Sequence, residues 1–379
     1  MIRISRTIAV LLAAAAMTAA AGGCAGKKND SSQTETSAMT STDSLRQRLA
    51  RLAEEGHVAF GHHDDPVYGH TWSGDQGRSD VLETSGDYPA VMSWDLGMIE
   101  LDSAANLDGV DFDRMRREIL AQDARGGFSV FSWHLRNPAD PSTDSWHLAD
   151  TLVVNKILND PETGKRFDLW VSRLGNVFNA LRRAAGTKVP VGGRPWHEHT
   201  GSGFWWGAGL CTPDDYKALW ARTRSGLDAA GTDNLLWAYS PDRVASEEQF
   251  MERYPGDEYV DIIGVDVYHF GGEEGLATYR RDASRSLQTA LAIARSHGKA
   301  AAFTETGSES LPMARWWTDV LLPLLKENRG LSYVVVWRNA SDKPAHYYAP
   351  FAGEPSVESF REFHNDTTTV FAKEMNKTR

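Results

Sequence analysis

The chain has 379 residues, of which 41% are hydrophobic and 24% are charged, so it can bury a sizeable core as one large globular domain. Its formal net charge of -11 makes nucleic acid a poor partner, because the phosphates would repel it. The two cysteines, Cys24 and Cys211, are too few for a disulfide framework or a cysteine-based zinc site. The 13 tryptophans suit either a ligand with flat apolar faces or a large core.

The N-terminus has the pattern of a secretory signal rather than of a folded element. Two arginines in Met1–Arg6 precede the apolar run Ile8–Ala21, which is too short and too rich in alanine for a membrane span. Small residues directly before Cys24 are typical of a bacterial lipoprotein cleavage site, so residues 1–23 are predicted to be removed and Cys24 to be lipidated. Residues 24–43 are predicted to form a flexible tether. We therefore expect a protein anchored in the bacterial cell envelope, at its periplasmic face or outer surface, that contacts the membrane only through this lipid. Cleavage with plain secretion is the alternative.

From residue 44 onward, eight apolar runs of strand length alternate with longer segments, many of them amphipathic. Several runs are continuously apolar, as expected for parallel strands that are covered on both faces. This pattern predicts a (β/α)8 TIM barrel as the single catalytic domain, residues 44–379. A doubly wound open sheet is the alternative, but the chain lacks the Gly-rich phosphate loop which that fold usually carries. The predicted strands are His57–His63, Tyr88–Leu96, Phe128–Leu135, Val189–His197, Leu235–Ser240, Asp261–Tyr268, Ala300–Thr304 and Leu331–Trp337.

Polar and aromatic side chains gather at or just after the ends of these predicted strands. In a parallel barrel the carboxyl ends of the strands form one face, and that face carries the active site. Each group taken alone fits a helix cap or a turn, but eight such groups together indicate a functional site. They are His62, His63, Asp64 and Asp65; Trp94 and Asp95; Trp133 and His134; His197, Glu198 and His199; Ser240 and Asp242; Asp266, Tyr268 and His269; Glu305; and Trp337, Arg338 and Asn339.

The stretch Arg194–Gly207 places one carboxylate among large aromatic rings. Trp196 precedes Glu198, and Trp205 and Trp206 follow it. Flat indole rings stack on sugar faces, and a carboxyl that they partly shield from water has a raised pKa. We expect these tryptophans to bind substrate around Glu198. A Trp-rich loop with a solvated glutamate is the alternative.

A second carboxylate, Glu305, ends the seventh predicted strand and should face Glu198 across the barrel mouth. Two carboxyls that flank a sugar ring are the groups needed for glycoside hydrolysis. Glu198 suits the protonated acid, whereas Glu305 lies beside hydroxyl residues and can accept a hydrogen bond from Tyr268, which suits an ionised nucleophile. Carboxyls about 5–5.5 Å apart would indicate retention of configuration, and a gap of roughly 8 Å would indicate inversion.

Several motifs resemble glycoside hydrolase family 26, whose members are mostly β-mannanases. RPWHEHTGSGFWWG is similar to the acid/base segment of that family and FTETG to its nucleophile segment. FGHHDDPVYGHTW, GDYPAVMSWDLG, FSWHLRNPA and VVVWRN also resemble members from Bacteroidetes, and the likeness runs from about Gly56 to Met375. The resemblance implies double displacement, with Glu198 as acid/base and Glu305 as the nucleophile that forms a covalent glycosyl-enzyme. The substrate-binding residues are then His134, Trp146, His197, Trp205, Trp206, Tyr268, Trp337 and Arg338.

The resemblance implies β-mannan or manno-oligosaccharides as substrate, with no cofactor and no metal, and we expect a monomer. Many members have a tryptophan where this chain has Gly203. The absence of that ring should weaken stacking on the leaving-group side. Loops such as Pro141–Lys165 would decide between endo-cleavage and release of mannobiose from a chain end.

Three alternatives stay open at this point. The enzyme could cleave mixed-linkage β-glucan or β-1,3-xylan, or the tryptophans could serve a non-catalytic glycan-binding lipoprotein. A metal hydrolase would use His62-His63-Asp64 or His197-Glu198-His199, although neither run has the i, i+4 spacing that places two histidines on one helix face.

Overall fold

The computed structural model of the protein describes residues 40–377. The predicted signal peptide, residues 1–23, the lipidation site Cys24 and most of the predicted tether therefore lie outside the described residues. Among the residues that are described, no helix combines the length and apolarity needed to span a bilayer.

The first helix, α1 (Ser41–Glu55), begins three residues before the predicted domain start at residue 44. A capping box explains this boundary, because the Thr40 hydroxyl accepts a hydrogen bond from the Asp43 N–H and the Asp43 carboxylate accepts one from the Thr40 N–H. The apolar face of α1 packs against inward-facing strand residues and closes the amino-terminal end of the sheet. That face consists of Leu45, Leu49 and Leu52.

Within residues 40–377, eight parallel strands form a closed barrel, so the predicted fold is confirmed and the open-sheet alternative is wrong. The first strand pairs with its successor and also with the last strand, where Ala59 lies opposite Tyr333. A further short strand, Thr369–Val370, pairs with the first strand at its amino-terminal end. The barrel strands are β1 (Val58–His63), β2 (Val91–Asp95), β3 (Phe128–Ser132), β4 (Val191–Arg194), β5 (Leu235–Tyr239), β6 (Ile262–Tyr268), β7 (Ala300–Gly307) and β8 (Leu331–Val336).

Seven of the eight predicted strands are shorter in the structure, and in two of them proline interrupts the backbone ladder. Pro190 and Pro195 bracket β4, and Pro89 lies just before β2. Proline has no N–H to donate to a neighbouring strand, which is why it falls at strand ends. Arg194 is therefore the last residue of β4, and Glu198 lies in the loop that follows it.

Helices connect most of the strands and cover the outside of the barrel. The predicted amphipathic segments overlap these helices, and the last of them contains a π-helical turn, Trp317–Leu321. The segments are Phe112–Ala121, Leu169–Ala184, Asp214–Ala230, Ser284–His297 and Pro312–Asn328. The helices after α1 are α2 (Asp80–Ser85), α3 (Phe112–Arg125), α4 (Val153–Asn159), α5 (Pro161–Ala180), α6 (Pro213–Ala229), α7 (Glu247–Met251), α8 (Gly272–His297), α9 (Leu322–Glu327), α10 (Val357–Asn365) and α11 (Ala372–Lys377).

The hydrophobic core has two parts. The smaller part lies inside the barrel and includes Phe128 and Tyr333 as well as the leucines of α1. The larger part fills the space between the strands and the outer helices and extends up to the loop after β4. Many tryptophans are completely buried in this larger part, so much of the tryptophan content serves the core. These buried residues include Trp94, Trp196, Trp205, Trp206, Trp220, Trp316 and Trp317.

Candidate active site

Glu198 and Glu305 lie together at the carboxyl-terminal face of the barrel. One oxygen from each of these carboxylates and one from Asp266 all lie within 4.8 Å of one another. The backbone of Glu198 is in the left-handed region at φ 52°, and its N–H donates to the carbonyl of Ser240 at 2.9 Å. Such a backbone is strained for a residue with a side chain, and here it places the half-buried Glu198 carboxyl next to Glu305.

A buried arginine at the end of β4 holds two of the three acids. The Arg194 guanidinium donates from Nη1 to the Asp266 carboxylate at 2.6 Å and from Nη2 to the Glu305 carboxylate. Tyr268 donates its hydroxyl to Glu305 Oε2 at 2.8 Å, as the sequence predicted. Hydrogen bonds from charged and hydroxyl donors stabilise the ionised form of a carboxylate. The contacts of Glu305 are therefore those of an ionised group.

Glu198 is in the opposite electrostatic situation. Its burial, followed by the negative charges of Glu305 and Asp266, raises the pKa of the Glu198 carboxyl well above its usual range, and Arg194 opposes this only partly. Burial also raises the pKa of Asp266, and the Arg194 guanidinium, which bonds to it, opposes this. Three clustered carboxyls with one guanidinium cannot all ionise easily, so a proton stays in the cluster near neutral pH. Because Arg194 bonds to Asp266 and Glu305, Glu198 is the acid that keeps it.

Two histidines form the wall of the cleft on the β3 side. Asp95 Oδ2 accepts from His134 Nδ1 at 2.5 Å, and His134 Nε2 lies 3.0 Å from His197 Nε2. Burial opposes ionisation of Asp95, but His134 and further hydrogen bonds lower its pKa to about 2. Burial and then the charge of Arg194 hold the pKa of His197 well below its ordinary value. The neutral His197 shares one hydrogen bond with His134 through their Nε2 atoms, and this chain of bonds from Asp95 fixes both rings.

Aromatic rings complete the same side of the mouth. Trp146 stacks on His134, with ring centroids 5.0 Å apart, and is 48% exposed to solvent. Trp337 stacks on His63 at 4.1 Å and lies edge-on to His134 at 6.3 Å. Both rings thus adjoin His134 at the mouth of the barrel, and their contact with substrate stays a prediction.

Arg338 follows Trp337 in the chain and is held by polar side chains from other loops. Its guanidinium forms an ion pair with Asp108 at 2.9 Å and donates to the Tyr68 hydroxyl at 3.3 Å. Tyr68 in turn donates to Asp64 at 2.5 Å. Arg338 is half-buried in this network, at the end of the cleft formed by β8, β1 and the loop after β2.

The prediction that Trp205 and Trp206 bind substrate is wrong. Both indoles are completely buried, and their rings lie 5.5 and 5.4 Å from that of Trp196. Trp206 donates its Nε1 proton to the carbonyl of His197 at 2.8 Å, and Phe204 stacks on it at 4.6 Å. The loop after β4 folds these indoles inward, where burial of large apolar rings is most favourable. Trp206 supports His197 through this hydrogen bond, and Trp205 packs against Trp206. The pKa of Glu198 is raised by burial and by acidic neighbours.

Two functional residues carried no assigned role in the sequence analysis. Asp266 was noted only as one of the polar residues near a strand end, and Arg194 only as part of a motif. A signal for Arg194 was present, because a cation inside an apolar strand must find buried carboxylates as partners. Gly203 is exposed, and a side chain added there would meet open space.

Metal-ligand residue types meet in two groups among residues 40–377. One is Glu198, Asp266 and Glu305, and the other is His63, Asp64 and Asp108. A guanidinium already pairs with acids of each group, Arg194 in the first and Arg338 in the second. In both groups an arginine side chain therefore supplies a positive charge beside the acids. The donor sets do not fit a metal hydrolase that would use His197-Glu198-His199.

A closed parallel barrel with two apposed glutamates and aromatic walls at its carboxyl-terminal face defines the class of barrel glycoside hydrolases. The family model for glycosyl hydrolase family 26 matches residues 34–295, and the chain belongs to this family. A solved GH26 β-mannanase from Bacteroides ovatus is 43% identical, with a TM-score of 0.84 over 88% of this chain and 95% of that one.

Two curated relatives are mannan endo-1,4-β-mannosidases, and this chain matches only part of the length of each. A mannan endo-1,4-β-mannosidase of Bacillus subtilis is 33% identical over 55% of this chain and 58% of its own. One from Bifidobacterium adolescentis is 25% identical over 93% of this chain and 36% of its own. The chain thus spans between about one third and three fifths of these relatives.

Replacing Asp266 with asparagine should move the alkaline limb of the kcat/KM pH profile to lower pH. The Asp266 charge raises the pKa of Glu198, so its removal lowers that pKa, and the protonated acid is lost at a lower pH. The measurement is kcat/KM against pH on a polysaccharide substrate. Asp319→Asn, which removes an exposed carboxylate with 53% of its side chain accessible, should leave the profile in place. An alkaline limb that stayed put or rose in the Asp266 variant would contradict the assignment.

Proposed function

We propose that this protein is a retaining β-mannanase that hydrolyses β-1,4-mannosidic linkages in mannan and galactomannan. The observation that carries the proposal is the Glu198–Glu305 pair, whose nearest oxygens are less than 4.8 Å apart. That spacing supports a retaining mechanism, because inverting enzymes hold their two carboxyls about 6.5–9.5 Å apart to admit a water molecule. The substrate class is supported by the 43% identity to a GH26 β-mannanase over 95% of that chain.

In the first step Glu305 is the nucleophile. Its carboxylate oxygen forms a bond to the anomeric carbon while the bond from that carbon to the glycosidic oxygen breaks. Glu198 gives its proton to the departing oxygen, so the leaving chain departs as an alcohol. Arg194 and Tyr268 support this role because they stabilise the ionised Glu305 before attack.

In the second step Glu198 changes from an acid to a base. Once Glu305 is an ester it carries no charge, so the main acidic neighbour that raised the pKa of Glu198 is gone. Glu198 is now ionised and takes a proton from water, whose oxygen attacks the anomeric carbon and releases Glu305. The mannose unit leaves with its original configuration.

The sugar that reacts would lie between the histidine wall and Tyr268. His134 and His197 are fixed by Asp95 and form a rigid wall, and Trp337 and Trp146 offer flat faces at the same side. Stacking on rings together with a few polar contacts is the usual way in which a protein orients a sugar.

A product time course tests the substrate. Linear mannan, galactomannan, barley β-glucan and β-1,3-xylan are digested in parallel, and the products are separated by chain length. We expect a spread of manno-oligosaccharides from the two mannans and little from the others. Mannobiose as the sole early product would indicate attack at a chain end. Products from glucan or xylan alone would overturn the substrate, and none from any polymer would favour a non-catalytic glycan-binding protein.

Glu198→Gln should separate substrates by their leaving group. For mannan, whose leaving alcohol needs a proton, we expect kcat/KM to fall by about 10² to 10⁴. A 2,4-dinitrophenyl β-mannobioside releases dinitrophenolate, which departs without a proton. For this substrate kcat/KM should stay within about tenfold of the wild type. Initial rates on the two substrates measure this.

The matched comparison is Glu305→Gln, which should abolish turnover of both substrates by about 10⁴ or more, because no nucleophile remains. Equal losses on both substrates in the Glu198 variant would argue against its role as the acid. A Glu305 variant with even a tenth of the wild-type rate would argue against the nucleophile.

We also propose that lipid on Cys24 anchors the protein in the bacterial cell envelope. The sequence supports this, because small residues directly precede Cys24 after the apolar run Ile8–Ala21. Cells fed radioactive palmitate should label the wild-type protein and Cys211→Ala but not Cys24→Ala. Label in the Cys24 variant, or none in the wild type, would contradict the anchor.

A further inference from the structure

The loop that carries Glu198 is tied at two points to the chain segment that follows β5. The Glu198 N–H donates to the Ser240 carbonyl at 2.9 Å. Three residues further on, the Gly201 N–H donates to the Asp242 carboxylate at 3.0 Å. The turn from Glu198 to Gly201 is therefore bonded at both ends to one short segment of the chain.

That segment is itself held by β6. The Pro241 carbonyl accepts from the Asp266 N–H at 3.0 Å, and Asp242 forms a parallel β-bridge with Asp266. The strand that presents Asp266 to the carboxylate cluster thus also supports Asp242. Asp242 is therefore a fixed point to which the Glu198 loop can be attached.

Gly201 allows the Asp242 carboxylate to approach the loop closely. A Cβ atom added at Gly201 would lie 2.7 Å from Asp242 Oδ2, closer than a side chain tolerates. The backbone of Gly201 is not in the left-handed region that favours glycine. The close approach of the carboxylate is therefore the feature that excludes a side chain at this position.

Asp242 also brings a negative charge to the site. After burial and the two other acids of the cluster, the Asp242 charge is the next cause of the raised pKa of Glu198. Burial raises the pKa of Asp242 itself to about 6, against backbone N–H groups that include that of Gly201. Asp242 is therefore mostly ionised at neutral pH. The charged groups around it are Glu198, Arg243, Asp266, Asp282 and, across the cluster, Arg194 and Glu305.

We propose that Asp242 is a positioning residue for the acid/base: it holds the Gly201 N–H and so fixes the turn that aims the Glu198 carboxyl at the reacting bond. The inference rests on the proposed function, since it explains how the proposed acid/base is held in place. Glu198 has a left-handed backbone at φ 52°. A turn released at Gly201 would relax towards a commoner conformation and carry the carboxyl away.

Asp242→Ala should impair the steps that need the acid/base and spare the one that does not. On mannan, whose leaving alcohol needs a proton, we expect kcat/KM to fall by about 10- to 100-fold, because a catalytic group displaced by about 1 Å loses activity on that order. On the 2,4-dinitrophenyl β-mannobioside, kcat/KM should change by less than about threefold. For this substrate kcat and KM should fall together, because hydrolysis of the glycosyl-enzyme still needs the base.

Gly201→Ala tests the same contact from the other side. The added Cβ would push the Asp242 carboxylate away, so this variant should show the same difference between the two substrates. In the Asp242→Ala background the carboxylate is gone, and the change at Gly201 should then cost less than about twofold. Losses that multiply in the double variant would show that the two residues act independently and would overturn the inference.

Asp242→Asn separates the hydrogen bond from the charge. Its amide oxygen can still accept the Gly201 N–H, so kcat/KM on mannan at the pH optimum should stay within about threefold of the wild type. The alkaline limb of the kcat/KM profile should move to lower pH, because one of the charges that raise the pKa of Glu198 is gone. An Asn variant as impaired as the Ala variant at its own optimum would contradict the positioning role.

Asp366→Ala is the matched control, because the Asp366 carboxylate accepts the Thr368 N–H at 2.9 Å at the amino-terminal end of the barrel. This variant removes the same kind of bond and should change kcat/KM on either substrate by less than about twofold. Equal losses on both substrates in Asp242→Ala, or no loss on either, would overturn the inference alone. A wild-type protein inert on both substrates would overturn the proposed function as well.

Discussion

The site depends on one buried cation shared between acids. Arg194 is the last residue of β4, and its two terminal nitrogens reach different carboxylates, Asp266 and Glu305. Charges buried without partners are very unfavourable, so each of these groups needs the others to stay in the barrel. Lysine could not replace this residue, because a single ammonium group lacks the planar fork that spans both acids.

The same interaction makes the two glutamates differ in protonation. Arg194 contacts Glu305 and leaves Glu198 as the acid with the raised pKa. Backbone constraints enforce that difference. Pro195 ends the strand after Arg194, and the left-handed conformation of Glu198 then turns its carboxyl towards the cluster. The backbone conformation and the charges therefore both indicate that Glu198 holds the proton.

The fold was predictable from the sequence because parallel barrel strands are buried on both faces and appear as unbroken apolar runs. The eight strands and the positions of Glu198, Glu305 and Tyr268 follow from that pattern. The direction of each tryptophan did not follow, since Trp205 and Trp206 lie in a loop with no periodicity to separate inside from outside. The partners of Arg194 could not be predicted either, because they come from β6 and β7, distant in sequence and adjacent only after the barrel closes.

The two halves of the cleft differ in how they hold a ligand. On the β3 and β8 side, His134 and Trp337 belong to a bonded and stacked network that is fixed before substrate arrives. On the β5 and β6 side, a pocket of about 490 Å³ opens beside Glu198, and Phe270 at this pocket is 72% exposed. In the proposed reaction, rigid surroundings suit the sugar whose anomeric carbon must meet Glu305 within a narrow geometry. Arg194 ends β4, which lies between β3 and β5 in the sheet, so its bonds to Asp266 and Glu305 connect the rigid side of the mouth to the acids of β6 and β7.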